Sequence, residues 1–486
     1  MSKSDLNPTS GMESMQKETR RFPPPGSFAS QAHIRSLDEY EEMYAESIDN
    51  PSRFWGEKAA ELDWFKKWDR VLEWNLPDAK WFVGGKTNLC HNCVDRQVKA
   101  GLGDKVAIAW EGEPFIDLPD GTNGPEIRHL TYRDLQRETS KFANVLKKLG
   151  VAGRHLAELK GVAASIPQQG ILINALGLQE AKDSSAIENI VTTHDELYRD
   201  DAFPDAAGNA AAKEVRRYRQ ALRVGFEKVR ETGLVTNNHI VAIQAELEQN
   251  HAGFRRLPGT ALKDGAGRIV YTPPQDPAEV VRLMSDLERF INDDEAFDVD
   301  PLIKMALIHH QFETIHPFYD GNGRTGRILN VLYLVQQKLL DIPILYLSRY
   351  IVRTKADYYR LLQSVRETDN WEEWVLYLLT GVEQCARDGV ATVQAIKAAL
   401  LDTKHRMREQ HRFYSQDLIN NLFSHPYTKI EFVQRDLSVS RITARKYLEA
   451  LTGSGFLRKQ RIGKSNYYVN IALNAILTGS SMQGGE

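Results

Sequence analysis

Residues 316–327 read His-Pro-Phe-Tyr-Asp-Gly-Asn-Gly-Arg-Thr-Gly-Arg, and they leave little freedom in what must surround them. Upstream, Asp300-Pro301 has the form of an N-cap followed by proline at the first helical position. Ile303, Ala306, Leu307 and Ile315 then recur as the apolar positions of a buried helix. That helix delivers His316 at its end. Gly321-Asn322-Gly323 forms a tight turn whose missing side chains let backbone N–H groups approach an anion, and the run to Leu340 reads as a second helix. A helix, an anion-binding loop and a helix are therefore expected in that order.

The residue types in the loop point to nucleotide chemistry. A phosphate at the start of the second helix meets orphan N–H donors and the positive end of the dipole. Asp320 is a hard oxygen ligand beside the cradle, suited to a Mg2+ that keeps most of its waters and bridges phosphate oxygens. Arg324 and Arg327 are three apart on one helical face and can clamp phosphate oxygens, which leaves His316 free for proton transfer near neutral pH. A lone histidine before proline is usually a capping or core residue, and a lone Gly-Asn-Gly is usually only a turn; here they occur together in fixed order.

This stretch completes the pattern H-x-F-x-[DE]-G-N-G-R-x-x-R and resembles the Fic family of protein AMP-transferases, a likeness that runs from about Leu156 to near the C-terminus. The resemblance implies transfer of AMP from ATP, with Mg2+ and release of pyrophosphate, to a Ser, Thr or Tyr hydroxyl of a target protein or of the chain itself. It gives His316 the role of general base, packs Phe318 into the core and places Asp320 on the metal. Gly321, Asn322 and Gly323 become the anion hole, and Arg324 and Arg327 hold the phosphate tail. Arg268 to Pro274 follows the turn signal Asp264-Gly-Ala-Gly267 and reads as a short strand ended by prolines, equally an ordinary hairpin strand. In the family this is the flap, and Ile269, Val270, Tyr271 and Thr272 would receive a target segment by strand addition. Tyr359, in Tyr358-Tyr-Arg-Leu-Leu362, matches the segment beside the adenine pocket; a helical aromatic is otherwise core.

Ser184-Ser-Ala-Ile-Glu188-Asn189 matches the family's inhibitory pattern [ST]-x-x-x-E-[GN]. Serine and glutamate four apart share a helical face, although spacing alone would also fit a solvated glutamate. The resemblance implies that Glu188 pairs with Arg327 and restrains the enzyme, and that in some relatives the same glutamate serves removal of AMP.

Before this region, Phe54-Trp-Gly56, Asp63-Trp-Phe65, Trp81 to Asn88, Cys93-Val-Asp-Arg96 and Asp104 to Gly112 resemble the N-terminal segment of acetyl-coenzyme A synthetase, from about Phe22 to Leu149. The synthetase's Ser/Thr/Gly-rich nucleotide loop and later catalytic lysine region do not follow, so ligase activity is not expected. Six of the eight tryptophans lie in the first 110 residues, on surface that a full synthetase would cover, so a sticky fragment is expected. Cys90-His-Asn-Cys93 has no second CxxC to complete a four-thiolate zinc site, and three cysteines do not make a disulfide framework.

From about Lys404 the character changes again. Thr428 to Leu437 and Ser440 to Leu451 read as two helices, and Phe456 to Ile462 with Ser465 to Asn470 as a hairpin, together resembling a winged helix. Arg441, Arg445 and Lys446, with Arg458, Lys459, Arg461 and Lys464, are candidates for contact with DNA phosphates; wings also dock proteins or form dimers.

The expected fold is mainly α. A Fic helical core with a small β flap is joined to a C-terminal winged helix and preceded by an α+β synthetase-like fragment. The expected divisions are a flexible arm over 1–40, the fragment over 41–150, a regulatory region over 156–230, the catalytic core over 231–395, the winged helix over 404–475 and a tail over 476–486. A net charge of -3 gives no global pull toward nucleic acid or membrane, and no apolar run is long enough to span a bilayer. The polar start does not resemble a signal peptide, so a cytoplasmic protein is expected. The alternatives kept open are a nucleotide-sensing transcriptional regulator, an enzyme that removes AMP, a different phosphate-containing donor, and a fusion whose first part disrupts folding.

Overall fold

The computed structural model describes residues 23–117, 123–202, 210–462 and 465–479. It is 64% helical with few small sheets, the mainly α architecture expected. The chain divides into two compact units, Met1–Ser140 and Lys141–Glu486.

In the first unit, α1 (Leu37–Asp49) opens at Ser36, whose hydroxyl accepts a hydrogen bond from the Glu39 amide, and α2 (Pro51–Ala59) has proline at its first position. Two antiparallel hairpins follow, β1 (Arg70–Asn75) with β2 (Asp78–Val83), and β3 (Val106–Asp117) with β4 (Asn123–Thr131). Asn92 fastens the loops between them: its amide nitrogen donates to the Asp63 carbonyl at 3.0 Å and its oxygen accepts from the Asp63 amide at 2.7 Å. Among the described residues, Ala59 and Val94 are the only apolar side chains buried in this unit, while Trp55, Trp74, Trp81 and Trp110 are exposed. Cys90 and Cys93 are exposed free thiols. Of the arm expected over 1–40, residues 1–22 lie outside the described ones, and the rest holds one helical turn, Gly26–Ala29, and the start of α1.

The division between the units falls inside α3 (Tyr132–Ala164). The change from synthetase-like to Fic-like sequence expected near 150–156 is therefore continuous helix. Lys147, Lys148, Leu149, Val151 and Ala152 carry the periodicity through, and Gly150 and Gly153 do not interrupt it.

The second unit is built around one continuous apolar core that reaches from Ala152 to Leu477. Its helices are α4 (Gly170–Ile187), α5 (His194–Ala202), α6 (Ala210–Thr232), α7 (Asn237–Glu248), α8 (Pro277–Asn292), α9 (Pro301–Ile315), α10 (Asn322–Gln336), α11 (Leu347–Arg353) and α12 (Lys355–Thr368). Helices α9 and α10 are buried on nearly every side because α4, α6, α7 and α8 enclose them. A two-stranded hairpin, β5 (Leu262–Lys263) with β6 (Ile269–Tyr271), stands at their loop end. Helix α10 stops at Gln336, short of the expected Leu340, because Lys338 turns to φ 56° and Leu340 folds back into the core.

Helix α13 (Trp371–Gln410) runs 40 residues and carries the chain across the boundary expected between 395 and 404. The sequence Ala395 to Gln410 holds neither glycine nor proline, so nothing in it ends a helix. Beyond it lie α14 (Gln416–Ser424), β7 (Tyr427–Thr428), α15 (Ile430–Leu437), α16 (Arg441–Gly453), β8 (Leu457–Ile462), β9 (Ser465–Asn470) and α17 (Ile471–Thr478). The sheet order is β7-β9-β8, the helices-then-hairpin order expected, and α17 makes the expected tail helical as far as Thr478. Helices α14 and α17 pack directly on α4.

Candidate functional site

The loop between α9 and α10 is fixed from within. Asp300 caps α9 by accepting from the Leu302 amide at 2.8 Å, and the helix ends as His316 turns into the left-handed region at φ 50°. Phe318 is fully buried against Phe254 and Phe312. Asn322 is buried too, and its side chain closes the loop, accepting from the Phe318 amide at 2.8 Å and donating to the Phe318 carbonyl at 2.9 Å. Its carboxamide is thus spent on the loop, and only its backbone N–H remains for an anion. Gly321 starts α10 at φ 78°, a conformation that needs glycine, and the Thr325 amide is the first to find a helical carbonyl. The preceding amides are orphan donors at the helix start.

His316 is held by its carbonyl. The guanidinium of Arg255, itself buried, donates from Nε to the His316 carbonyl at 2.9 Å and from Nη2 to that of Ile315 at 3.3 Å, and also to the Pro274 carbonyl at the base of the hairpin. One arginine thereby ties the histidine to the segment that carries β6. Burial pushes the imidazole down to about 4, with the Arg255 charge in the same direction, so His316 is a neutral proton acceptor at pH 7.

The two motif arginines are buried and already paired. Arg327 donates from Nε to the Ser184 hydroxyl at 2.8 Å, and from Nη2 to the Ser184 carbonyl at 3.1 Å and to Glu188 Oε1 at 2.8 Å. Glu188 stands at the end of α4, and Asn189 after it adopts φ 65°, which explains why the pattern asks for glycine or asparagine there. Burial raises the Glu188 carboxyl, but the Arg327 charge and hydrogen bond outweigh it, so the group stays below the ordinary glutamate range. Arg324 binds Glu214 on α6 and, at 2.8 Å, Glu248 on α7. The two arginines therefore diverge to different carboxylates.

Those carboxylates lie on the cradle itself. A Cβ added to Gly323 would sit 2.5 Å from Glu188 Oε1, and one added to Gly321 would sit 2.6 Å from Glu248 Oε1. Carboxylate oxygens thus stand where phosphate oxygens would be received. Asp320 projects outward, with its carboxylate 79% exposed and Oδ1 accepting from the Gly321 amide at 2.7 Å. Among the described residues no group of three or more His, Cys, Asp or Glu gathers to hold a metal; one outward carboxylate fits a Mg2+ that takes its other ligands from water and phosphate.

In the hairpin, Ile269 and Val270 are exposed, while the Tyr271 hydroxyl donates to the Thr314 carbonyl at 3.2 Å and its ring lies under Arg366. Thr272 falls just after β6, because Pro273 and Pro274 end the strand. Tyr358 is buried and bonded to His309 at 2.9 Å; Tyr359 is half-exposed, beside the field of Glu188. Sequence reasoning missed Arg255, Glu214, Glu248 and Glu313. Glu313 is buried under Gly326 with Oε1 lacking a hydrogen-bond partner among the described residues, and burial pushes its carboxyl up to about 7. Arg255, Glu214 and Glu248 carry no local signal, since each acts across tens of residues, whereas Glu313 lies in the helix that delivers His316.

Several stretches of the chain match known protein families. The Fic/DOC family matches residues 234–334 and the Fic/DOC family N-terminal domain residues 146–227. This chain carries a Fic domain. Residues 400–473 match the C-terminal domain of SoFic-like protein adenylyltransferases, and residues 40–93 the acetyl-coenzyme A synthetase N-terminus. A Fic family protein from Desulfovibrio desulfuricans superposes with a TM-score of 0.43 at 21% identity, over 71% of this chain and 97% of that one. Fic-1 from C. elegans gives 0.43 at 19% identity, over 54% and 76%. Acetyl-coenzyme A synthetase of Chlorobaculum tepidum is 49% identical over 140 residues, and that of Deinococcus radiodurans 47% over 145. The chain spans only 20% and 21% of the length of these curated relatives.

Outside the Fic core, the basic side chains proposed for DNA are partly spent. Arg441 pairs with Glu431 at 2.9 Å and Lys459 with Glu449 at 2.5 Å, while Ile442 between them in sequence is 82% exposed. Lys464 lies outside the described residues. No described helix is long and apolar enough to cross a membrane.

Proposed function

We propose that the chain is a protein adenylyltransferase that moves AMP from ATP to a Ser, Thr or Tyr hydroxyl, restrained by Glu188. The observation that carries this is the cradle: glycine amides at a helix start, two arginines, an outward carboxylate and a neutral histidine converge on one loop.

The target hydroxyl oxygen attacks the α-phosphorus, its proton passes to His316, and the bond to the β-phosphate oxygen breaks to release pyrophosphate. Mg2+ on Asp320 would neutralise phosphate charge as it moves to the leaving group. The Asn322 and Gly323 amides stabilise the phosphate oxygens, and Arg324 and Arg327 orient the tail. The exposed edge of β6 offers backbone groups to a target segment. With Glu188 on Arg327 and over Gly323, the terminal phosphate has no seat, and ATP is left out of line for attack.

ATP labelled at the α-phosphorus and ATP labelled at the γ-phosphorus separate this from phosphoryl transfer. Label on protein from the α position alone is the expected result; label from the γ position alone would sink the reading. Self-modification makes the chain its own first substrate for the test.

A further inference from the structure

The helix that carries Glu188 has a second working face. Positions 180, 184 and 188 advance by about 40° at each step and together span about 80° around α4, whereas Gln179 and Lys182 lie on the opposite side with Asp183 at its margin. That opposite face lines a cleft of about 560 Å3, closed by α11, α13, α17 and the start of α5. Lys182, Arg349 and Arg353 bring three cationic side chains to it, against the carboxylates of Asp183 and Asp388.

The three cations share the field of Asp183, and among the described residues none makes a close ion pair. Lys182 Nζ is 3.3 Å from His194 Nε2, and Arg353 is 3.8 Å from Asp388. Among the described residues no carboxylate lies within 4 Å of Lys182 Nζ or of the Arg349 guanidinium. His194 reports the resulting field: burial, then the charges of Lys182 and Arg349, push it down to about 4, so it adds no charge but keeps a ring nitrogen for hydrogen bonding. Guanidinium pairs of this kind match phosphate oxygens in a bidentate manner.

We propose that this cleft binds a phosphate-bearing small anion, and that its occupation ties α4 to α11 and so holds Glu188 on Arg327. The second half rests on the reading of Glu188 as a brake; the first half does not. The mechanical link is short. Ser348, next to Arg349 on α11, donates its hydroxyl to Glu180, which shares the face of α4 that carries Ser184 and Glu188. An anion bridging Lys182 to Arg349 and Arg353 binds only when α4 is in this place, and whatever binds one state better shifts the population to it.

Calorimetry with inorganic phosphate, pyrophosphate and AMP at constant ionic strength tests binding without activity. Binding is expected in the wild-type chain and in Arg324→Ala, and about tenfold weaker in Arg349→Gln/Arg353→Gln and in Lys182→Gln. These sit on different helices, and melting temperatures establish that each is folded. AMP tighter than phosphate would mean that a nucleotide is read, equal affinity that phosphate alone is. No binding at millimolar anion, or binding that the cleft variants leave unchanged, overturns the site. For coupling, saturating anion is expected to slow self-labelling roughly fivefold or more in the chain with Glu188 and by less than about twofold in Glu188→Gly; equal slowing in both, or none in either, overturns the link. If no form incorporates label, the AMP-transfer reading fails while calorimetry still decides the cleft.

Discussion

Arg327 Nη2 meets Glu188 Oε1 at 2.8 Å across 139 positions of sequence, and the same carboxylate oxygen lies 2.5 Å from where a Cβ on Gly323 would be. One side chain thus neutralises the arginine and fills the cradle. Both effects vanish together when Glu188 leaves. Arg327 is 2% exposed, so removing the carboxylate leaves a buried guanidinium held by Ser184 alone and should cost roughly 2–3 kcal/mol of stability.

Gly323→Ala separates the two effects. Its methyl group would sit 2.5 Å from Glu188 Oε1 and 2.9 Å from Arg327 Nη1, so it displaces the brake while occupying the cradle. The expected outcome is no activation, with donor affinity reduced about tenfold or more even in the Glu188→Gly background. Donor titration of the double variant measures this, and affinity equal to that of Glu188→Gly would show that the amides of the loop do not receive phosphate.

In the proposed reaction Arg255 positions His316. Arg255→Met removes the donors to the His316 and Ile315 carbonyls while keeping much of the apolar stem. A fall in kcat of roughly 10- to 100-fold, with KM for ATP within about threefold, is expected, because a misplaced base harms the chemical step and not donor binding. A rise in KM with kcat unchanged would assign Arg255 to the nucleotide instead.

The pH dependence follows from two depressed groups. A histidine whose folded pKa is about 4 keeps its accepting form as pH falls through 6.5, and Glu188, lowered by Arg327, stays ionised in the same range. The rate of AMP transfer by Glu188→Gly should therefore change little between pH 8 and pH 6, with its acid limb below 6.5. For stability the same depression means that the unfolded chain takes up a proton that the fold refuses, so the contribution of His316 is complete above 6.5 and is lost as pH falls toward 4. A rate profile with its acid limb centred at 6.5 would show that the base is not the buried His316.

The helix–loop–helix was legible because its signals are local: the Asp300 cap, Pro301, and the glycine at φ 78° all act within a few residues. The mainly α architecture followed from the resemblance to the Fic family that this loop carries. The run of α13 through the boundary expected at 395–404 was missed because a change of sequence character is not a helix stop. Asn322 was assigned to the anion, yet its carboxamide closes the loop on Phe318 and only its backbone amide faces out, a distinction that composition at one position does not carry. Glu214 and Glu248 lie 110 and 76 positions from Arg324, and their meeting depends on how α6 and α7 pack on α10. In the first unit, the exposed tryptophans were expected from the likeness to a far longer synthetase.

In the proposed reaction His316 accepts the proton in an AMP transfer that Glu188 restrains. Purified wild-type chain, Glu188→Gly, and Glu188→Gly/His316→Ala, each with Mg2+ and α-labelled ATP, test it directly by initial rates of label incorporation. Incorporation should rise about tenfold or more in Glu188→Gly and fall about 100-fold or more from that level in the double variant. Equal incorporation in wild type and Glu188→Gly, or label that persists in the double variant, would contradict the account.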